Sequence, residues 1–188
     1  MENFLEELIY DLQKKKQGHI FYYFNDKESY IQNAFTFIVS VINSGSHIML
    51  VENDRNLLLL QEQLNKQLNE DQWKRLHILN NFDFYYSNRD FHAETILSYF
   101  KKNIEPLLDT NVPICTWGLV EWSDEKNITA NIEKYEQEFD QFVREKGIIS
   151  VCAYDAKRTP EKMKEILMRC HEIMMTDDQY VYLESHSI

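Results

Sequence analysis

Glu52 and Glu121 each end an apolar run that must be interior, "HIMLVE" and "ICTWGLVE". A carboxylate in such a place needs a partner, because burying an unpaired charge is costly. Glutamate is also a poor helix N-cap, so neither residue is explained as the start of a following helix. A pair of carboxylates at one edge of a sheet can exchange protons with a substrate, hold a metal, or accept a hydrogen bond from a ligand or an internal arginine. Pairing within the protein accounts for them equally well. Other polar residues also follow apolar runs: Asn25 and Asp26, Asn53, Asn80 and Asn81, Trp122, and Tyr154 with Asp155. Asparagine and aspartate there commonly start a turn and cap the next helix, which is the simpler reading of the asparagines.

The segment 80–91, "NNFDFYYSNRDF", sets five aromatics (Phe82, Phe84, Tyr85, Tyr86, Phe91) among turn formers. It is longer than a minimal strand-to-helix connection. Such a loop above a sheet serves as a lid or pocket wall, or as a plug closing that end of the core. Other chemistries find no support. The six histidines form no H-x-x-x-H pair, there is no G-x-S-x-G elbow, and no G-K-[ST] is present. The joint after the first apolar run, Asn25-Asp26-Lys27-Glu28-Ser29-Tyr30, contains no glycine. Backbone amides are therefore not expected to gather there around a nucleotide phosphate. No metal and no cofactor are expected, and no catalytic residue is assigned.

The elements that must position these residues follow one repeated unit: a short β-rich apolar run, a polar joint, then helical periodicity. Strands are expected at 19–24, 47–51, 76–79, 114–120 and 148–154, with helices at 27–43, 55–69, 92–109, 128–146 and 160–173. A sixth, edge strand is expected at 179–184. Asn25-x-x-Glu28 reads as a capping box, Gly45 and Gly147 close helices, and Thr159-Pro160 opens one. Alternation of this kind predicts an α/β fold: a three-layer sandwich around a mainly parallel sheet of five or six strands. Residues 1–18 form an amphipathic lead-in helix and 19–188 one domain; no linker or repeat divides them. In such a sheet ligands bind beyond the carboxyl ends of the strands, where Glu52, Glu121, Trp122, Tyr154 and Asp155 would gather. Trp117 and Trp122, five apart, should point to opposite faces.

Composition narrows the partners. With 31 acidic against 20 basic residues the formal charge is −11, which disfavours nucleic acid and anionic membranes. Lys14-Lys15-Lys16 reads as a helix terminus that complements its dipole. The acidic opening "MENFLEELIYD" lacks the features of a secretory signal, and no apolar run approaches a membrane span, so a cytoplasmic location is expected. Cys115, Cys152 and Cys170, an odd number widely spaced in apolar contexts, suit buried reduced thiols better than a disulfide frame or a zinc site.

The succession "HIFYYF", "NSGSHIMLVEND", "NNFDFYYSNRDFHAETIL", "TWGLVEW", "IEKYEQEFD", "SVCAYDA" and "CHEIMMTDD" resembles the MEDS domain, a sensory domain of methanogens and methylotrophs found in a dichloromethane-responsive repressor. The likeness runs from His19 to Asp178. Where other members place a "GEM" triplet, this chain reads Gly118-Leu119-Val120-Glu121. The resemblance implies a RecA/KaiC-like fold without Walker motifs, acting as an input module in signal transduction or transcription regulation. It also implies characteristic positions at His19, Glu121, Trp122, Tyr135, Glu136, Tyr154, Asp155 and His171. Family members are often fused to an output domain, and this chain shows none through Ile188, so either a separate signalling partner is expected or the chain acts simply as a binding protein.

Together these readings predict a sensory domain that binds a small, largely apolar organic ligand and signals to a partner without hydrolysing nucleotide. Glu52, Tyr85, Tyr86, Glu121, Trp122, Tyr154 and Asp155 are the expected ligand-binding set. Two alternatives stand beside it: a protein–protein interaction module, homodimeric or not, that uses the lead-in helix or edge strand; and a degenerate ATPase or phosphotransferase using Glu52 or Glu121.

Overall fold

Period-two alternation assigns each strand's residues to two faces, and the two cores of the protein follow from it. The computed structural model describes residues 3–123 and 125–184; the outer ends of the expected lead-in segment and domain, 1–2 and 185–188, lie outside these. Its strands are β1 (Gly18–Phe24), β2 (His47–Glu52), β3 (Leu76–Asn80), β4 (Ile114–Leu119), β5 (Ile149–Asp155), β6 (Ile173–Met175) and β7 (Tyr180–Tyr182). The helices are α1 (Phe4–Lys15), α2 (Lys27–Asn43), α3 (Asp54–Gln67), α4 (Glu70–Trp73), α5 (Asn81–Tyr86), α6 (Ala93–Leu108), α7 (Ile128–Lys146) and α8 (Glu161–Cys170). The strands form one sheet in the order β3-β2-β4-β5-β1-β6-β7. All neighbours pair in parallel except β6 and β7.

Ile20, Tyr22, Leu50, Trp117, Leu119 and Val151 face α1, α2 and α3 in one core; Phe21, Met49, Val51, Cys152 and Tyr154 face α5 to α8 in the other. Strand residues buried on both faces are what a sheet between two helical layers requires. Trp117 and Trp122 do lie in opposite cores. In α1, Leu5, Leu8, Ile9 and Leu12 are at most 2% exposed, so this amphipathic stripe is part of the first core.

The architecture is the expected sandwich, with differences in detail. The sheet has seven strands, not five or six. The extra one, β6, lies where helical periodicity was read through 173; the helix stops at Cys170 because His171 is extended (φ −124°, ψ 152°), and a three-residue strand is too short to show alternation. The edge strand β7 is likewise shorter than 179–184. The helix expected over 55–69 ends at Gln67, and Asn69 begins α4 with a capping box. The segment 80–91 is not an open loop: Asn80 accepts a hydrogen bond from the Asp83 amide and starts α5. No helix is long and apolar enough to cross a membrane among the described residues.

Candidate functional site

The chain leaves β1 through α2 on one face and passes β5 and β4 to reach β2, whereas β5 leaves through α8 on the other face and passes β1 to reach β6. This divergence opens a crevice beyond the carboxyl ends of β1, β5 and β4, where open parallel sheets hold ligands. Its volume is about 470 Å³. Phe24 and Asn25 from β1 and its joint, Asn53 and Asn56 from the start of α3, Glu121 and Trp122 after β4, and Asp155 after β5 all line it. Four basic side chains, Lys27, Arg55, Lys157 and Arg158, stand against two acidic ones, Glu121 and Asp155. The N-terminus of α3, capped by the neutral Asn53, adds positive partial charge at the same end, whereas that of α2 is offset by the Asp26 carboxylate that caps it. On a protein with an excess of acidic residues this is a local reversal of sign.

Trp122 is the apolar wall. Arg158 stacks on it with its guanidinium carbon 5.1 Å from the ring centre and donates a hydrogen bond to its carbonyl oxygen. Glu121 accepts from Asn81 Nδ2 at 2.9 Å and from Asn53 Nδ2 at 3.4 Å, so Asn53 does more than cap α3, and Asn81, inside α5 behind its cap Asn80, is no cap at all. Asp155 accepts from the Lys157 amide at 2.9 Å.

Glu52 lies beneath the crevice floor rather than in it. It is fully buried and accepts from Tyr30 Oη at 2.5 Å, from the Asn53 amide at 3.0 Å and from Asn56 Nδ2 at 3.0 Å. Trp117 Nε1 in turn donates to Tyr30 Oη at 2.9 Å. Burial pushes the Glu52 carboxyl up to about 7, against the pull of its three donors and aided by the Glu121 charge. Glu52 and Glu121 are therefore separate: one holds an internal network, the other faces the crevice.

The β1–α2 joint does gather backbone amides, contrary to expectation, but around the protein's own anion. The amides of Asn25 and Asp26 both donate to Asp177 Oδ2 at 3.0 Å, and Tyr22 Oη donates to Oδ1 at 2.8 Å. Asn33 Nδ2 fixes the turn by donating to the Asp177 carbonyl at 3.0 Å and to Tyr22 Oη at 2.9 Å. Asp177, on the β6–β7 connection, thus takes the place that a phosphate takes in a nucleotide-binding joint. Sequence reading missed it, because only the fold brings residue 177 to residue 25.

Besides Glu52, three more expected ligand contacts lie outside the crevice lining. Tyr85 is 2% exposed in the second core, stacked on Phe91 and edge-on to Tyr135. A Cβ on Gly118 would come within 3.0 Å of its hydroxyl, so the bare glycine is what admits the ring. Tyr86 accepts from the Ser123 amide outside the crevice lining. Tyr154 is fully buried below Trp122, with ring centres 5.8 Å apart, and donates to Glu136 Oε1. Phe84 and Tyr85 are drawn into the core because α5 turns them toward α6 and α7, and Phe91 joins them there, whereas Phe82 stays exposed.

The remaining positions, His19, Tyr135, Glu136 and His171, meet in that second core. Glu136 Oε2 lies 3.3 Å from His19 Nε2 and 3.3 Å from His171 Nε2, and Cys152 Sγ is 3.4 Å from His19 Nε2. All four side chains are buried. Burial opposes ionisation of Glu136, but His171 and His19 outweigh it and hold the carboxyl below its usual range. Tyr135 packs on Phe139 and Phe91 beside them. A signal was present in the sequence: Glu136 interrupts the stripe Ile132, Tyr135, Phe139, Val143 that α7 buries.

The family model for "MEthanogen/methylotroph, DcmR Sensory domain" (MEDS) matches residues 18–172. No curated protein matches the chain. Among solved structures, one ATPase domain superposes with a TM-score of 0.55 at 8% identity, covering 86% of this chain and 69% of that one. The flagellar accessory protein FlaH of Methanocaldococcus jannaschii superposes with a TM-score of 0.54 at 14% identity, covering 88% and 76%. At such identities the likeness is one of fold, a RecA-like one.

Proposed function

The chain belongs to the MEDS family of sensory domains, and from that premise we propose that its strand-end crevice binds a small organic ligand carrying an anionic group, without nucleotide hydrolysis. One observation carries the reading: Lys27, Arg55, Lys157 and Arg158 converge with Trp122 on a cavity of about 470 Å³. A pocket of that size with a few polar groups suits a small metabolite. The cations and the α3 N-terminus attract a carboxylate, phosphate or sulfonate, Trp122 covers an apolar body, and Glu121 with Asn25 and Asn53 accepts or donates at the rim. The ligand is more polar than the aromatic composition of 80–91 suggested, because Tyr85 is spent on the core.

Asp177 in the β1–α2 joint speaks against a triphosphate, since a phosphate there must displace a carboxylate that three donors already satisfy. Glu52, which a degenerate ATPase would need to activate water, is buried with both oxygens engaged. The output leaves through a separate cytoplasmic partner. Asp177 ties the crevice rim at Asn25 to the β6–β7 hairpin, and β7 is an edge strand with Val181 and Tyr182 exposed, a surface open to strand addition.

Thermal-shift titration with a panel of small organic carboxylates, phosphates and sulfonates tests the reading. Saturable stabilisation by at least one anion, lost in Arg158→Ala and absent with Mg-ATP, is expected. Stabilisation by Mg-ATP that Glu52→Gln abolishes would favour the ATPase alternative.

A further inference from the structure

His19, Glu136, Cys152 and His171 come from four elements: β1, α7, β5 and the turn after α8. One donor atom from each lies within 4.8 Å of every other. Four ligands around zinc, at about 2.0–2.3 Å from the ion, stand about 3.3–3.8 Å from one another. Three of the six separations, 3.3, 3.3 and 3.4 Å, fall in that range, and the other three are within 4.8 Å.

The other ring nitrogens decide what these donors can do. His171 Nδ1 donates to the Leu167 carbonyl oxygen at 2.6 Å. His19 Nδ1 lies 3.0 Å from Asp140 Oδ1, and Arg144 Nε donates to the second oxygen of Asp140 at 2.9 Å. With both Nδ1 protons held outward, both Nε2 atoms present lone pairs to the same carboxylate oxygen. That arrangement is repulsive unless a proton on one imidazole or a metal ion sits between them, and the partnerless Glu136 Oε2 and His171 Nε2 mark where an ion would take the place of the proton. Glu136 Oε2 and His171 Nε2 are buried and lack a hydrogen-bonding partner, although 3.3 Å apart. Glu136 Oε1 is occupied by Tyr154 Oη, which leaves one oxygen as a single ligand atom. A carboxylate or carbonyl behind each imidazole is the outer shell that metal-binding histidines show.

We propose that His19 Nε2, Glu136 Oε2, Cys152 Sγ and His171 Nε2 form a four-coordinate site for a divalent transition metal of zinc's class. Two imidazoles, a thiolate and a carboxylate are a borderline-soft set suited to zinc rather than to calcium or magnesium. Binding replaces the Cys152 thiol proton, which passes to solvent; the thiolate and Glu136 carboxylate then balance the two positive charges. The ion would bind β1, β5, α7 and the α8–β6 junction together, and Tyr154 would connect it to Trp122 at the crevice wall. The proposal stands apart from the ligand reading, since none of the four residues lines the crevice.

Because the site is buried, the test uses the full chain unfolded and refolded with one equivalent of Zn²⁺ or Co²⁺, then desalted. Elemental analysis should find one metal per chain, and the Co²⁺ form should show a thiolate charge-transfer band and tetrahedral visible absorption. Cys152→Ser should lose the charge-transfer band, while Cys115→Ser, on the opposite face, should keep it. Asp140→Asn, which leaves all four ligands and the core in place, should lower metal affinity about 10–100-fold. Refolded protein of native circular dichroism that retains no metal overturns the proposal. So does a folded Cys152→Ser variant with an unchanged Co²⁺ spectrum, or Asp140→Asn with unchanged affinity.

Discussion

Replacing Glu52 by Gln keeps the shape of the buried network and removes its charge, so the two proteins should diverge with pH. The folded protein raises the Glu52 carboxyl from 4.5 to about 7, which means that between those values the native state holds a proton the unfolded chain has lost. Stability from this group is fully present below the unfolded pKa and is lost as pH rises through the folded one. Each pKa unit corresponds to about 1.36 kcal/mol, so the shift is worth about 3 kcal/mol. Glu52→Gln has no such group; relative to it, wild type should lose about 3 kcal/mol between about pH 4.5 and pH 8. In a domain of this size that is about 6–12 °C in the Tm difference. Urea denaturation of both proteins at several pH values across that window measures it directly, and other titrations cancel in the difference. A pH-independent difference would refute the reasoning. A wild type that gains on the variant as pH rises toward about 4.5 and then stays level would show that Tyr30, Asn53 and Asn56 outweigh burial and hold the Glu52 carboxyl below its usual range.

Tyr30→Phe leaves Trp117 Nε1 buried without an acceptor and removes one donor from Glu52; denaturant midpoints should report a loss of about 2–4 kcal/mol. Gly118→Ala drives a methyl group against the Tyr85 hydroxyl and should cost about 1–3 kcal/mol, with part of the loss recovered in the Gly118→Ala/Tyr85→Phe double variant; no recovery would mean that the clash lies elsewhere. Asp177→Ala frees the amides of Asn25 and Asp26 and the Tyr22 hydroxyl, lowering stability by about 2 kcal/mol, and hydrogen exchange at those two amides should speed up while β5 amides stay protected.

The layered architecture was legible because each strand and helix carries its own period, and because strand ends in a parallel sheet lie on one side whatever the order. Glu121, Trp122 and Asp155 therefore reached the crevice as expected. Tyr85 did not, because the short helix α5 offers too few residues to show a helical stripe amid turn formers. β6 escaped for the same reason of length. Asp177 and the cluster around Glu136 depend on contacts between segments far apart in the chain, such as 19 with 152 and 25 with 177, which no local pattern encodes. Glu136 alone left a trace, as a carboxylate in an apolar stripe, and the resemblance pointed to it before the geometry did.

The chain has three tryptophans, and Trp122 alone among them lines the crevice, so the indole N–H resonances offer a direct test of the binding site. Titrating ¹⁵N-labelled protein with small organic anions and their neutral isosteres should reveal at least one anion that moves the Trp122 signal saturably and leaves Trp73 in place. The neutral isostere should bind more weakly, and Arg158→Ala should abolish the shift. A Trp122 resonance that stays fixed across the whole panel, or that responds equally to anion and isostere, would contradict an anion-binding crevice.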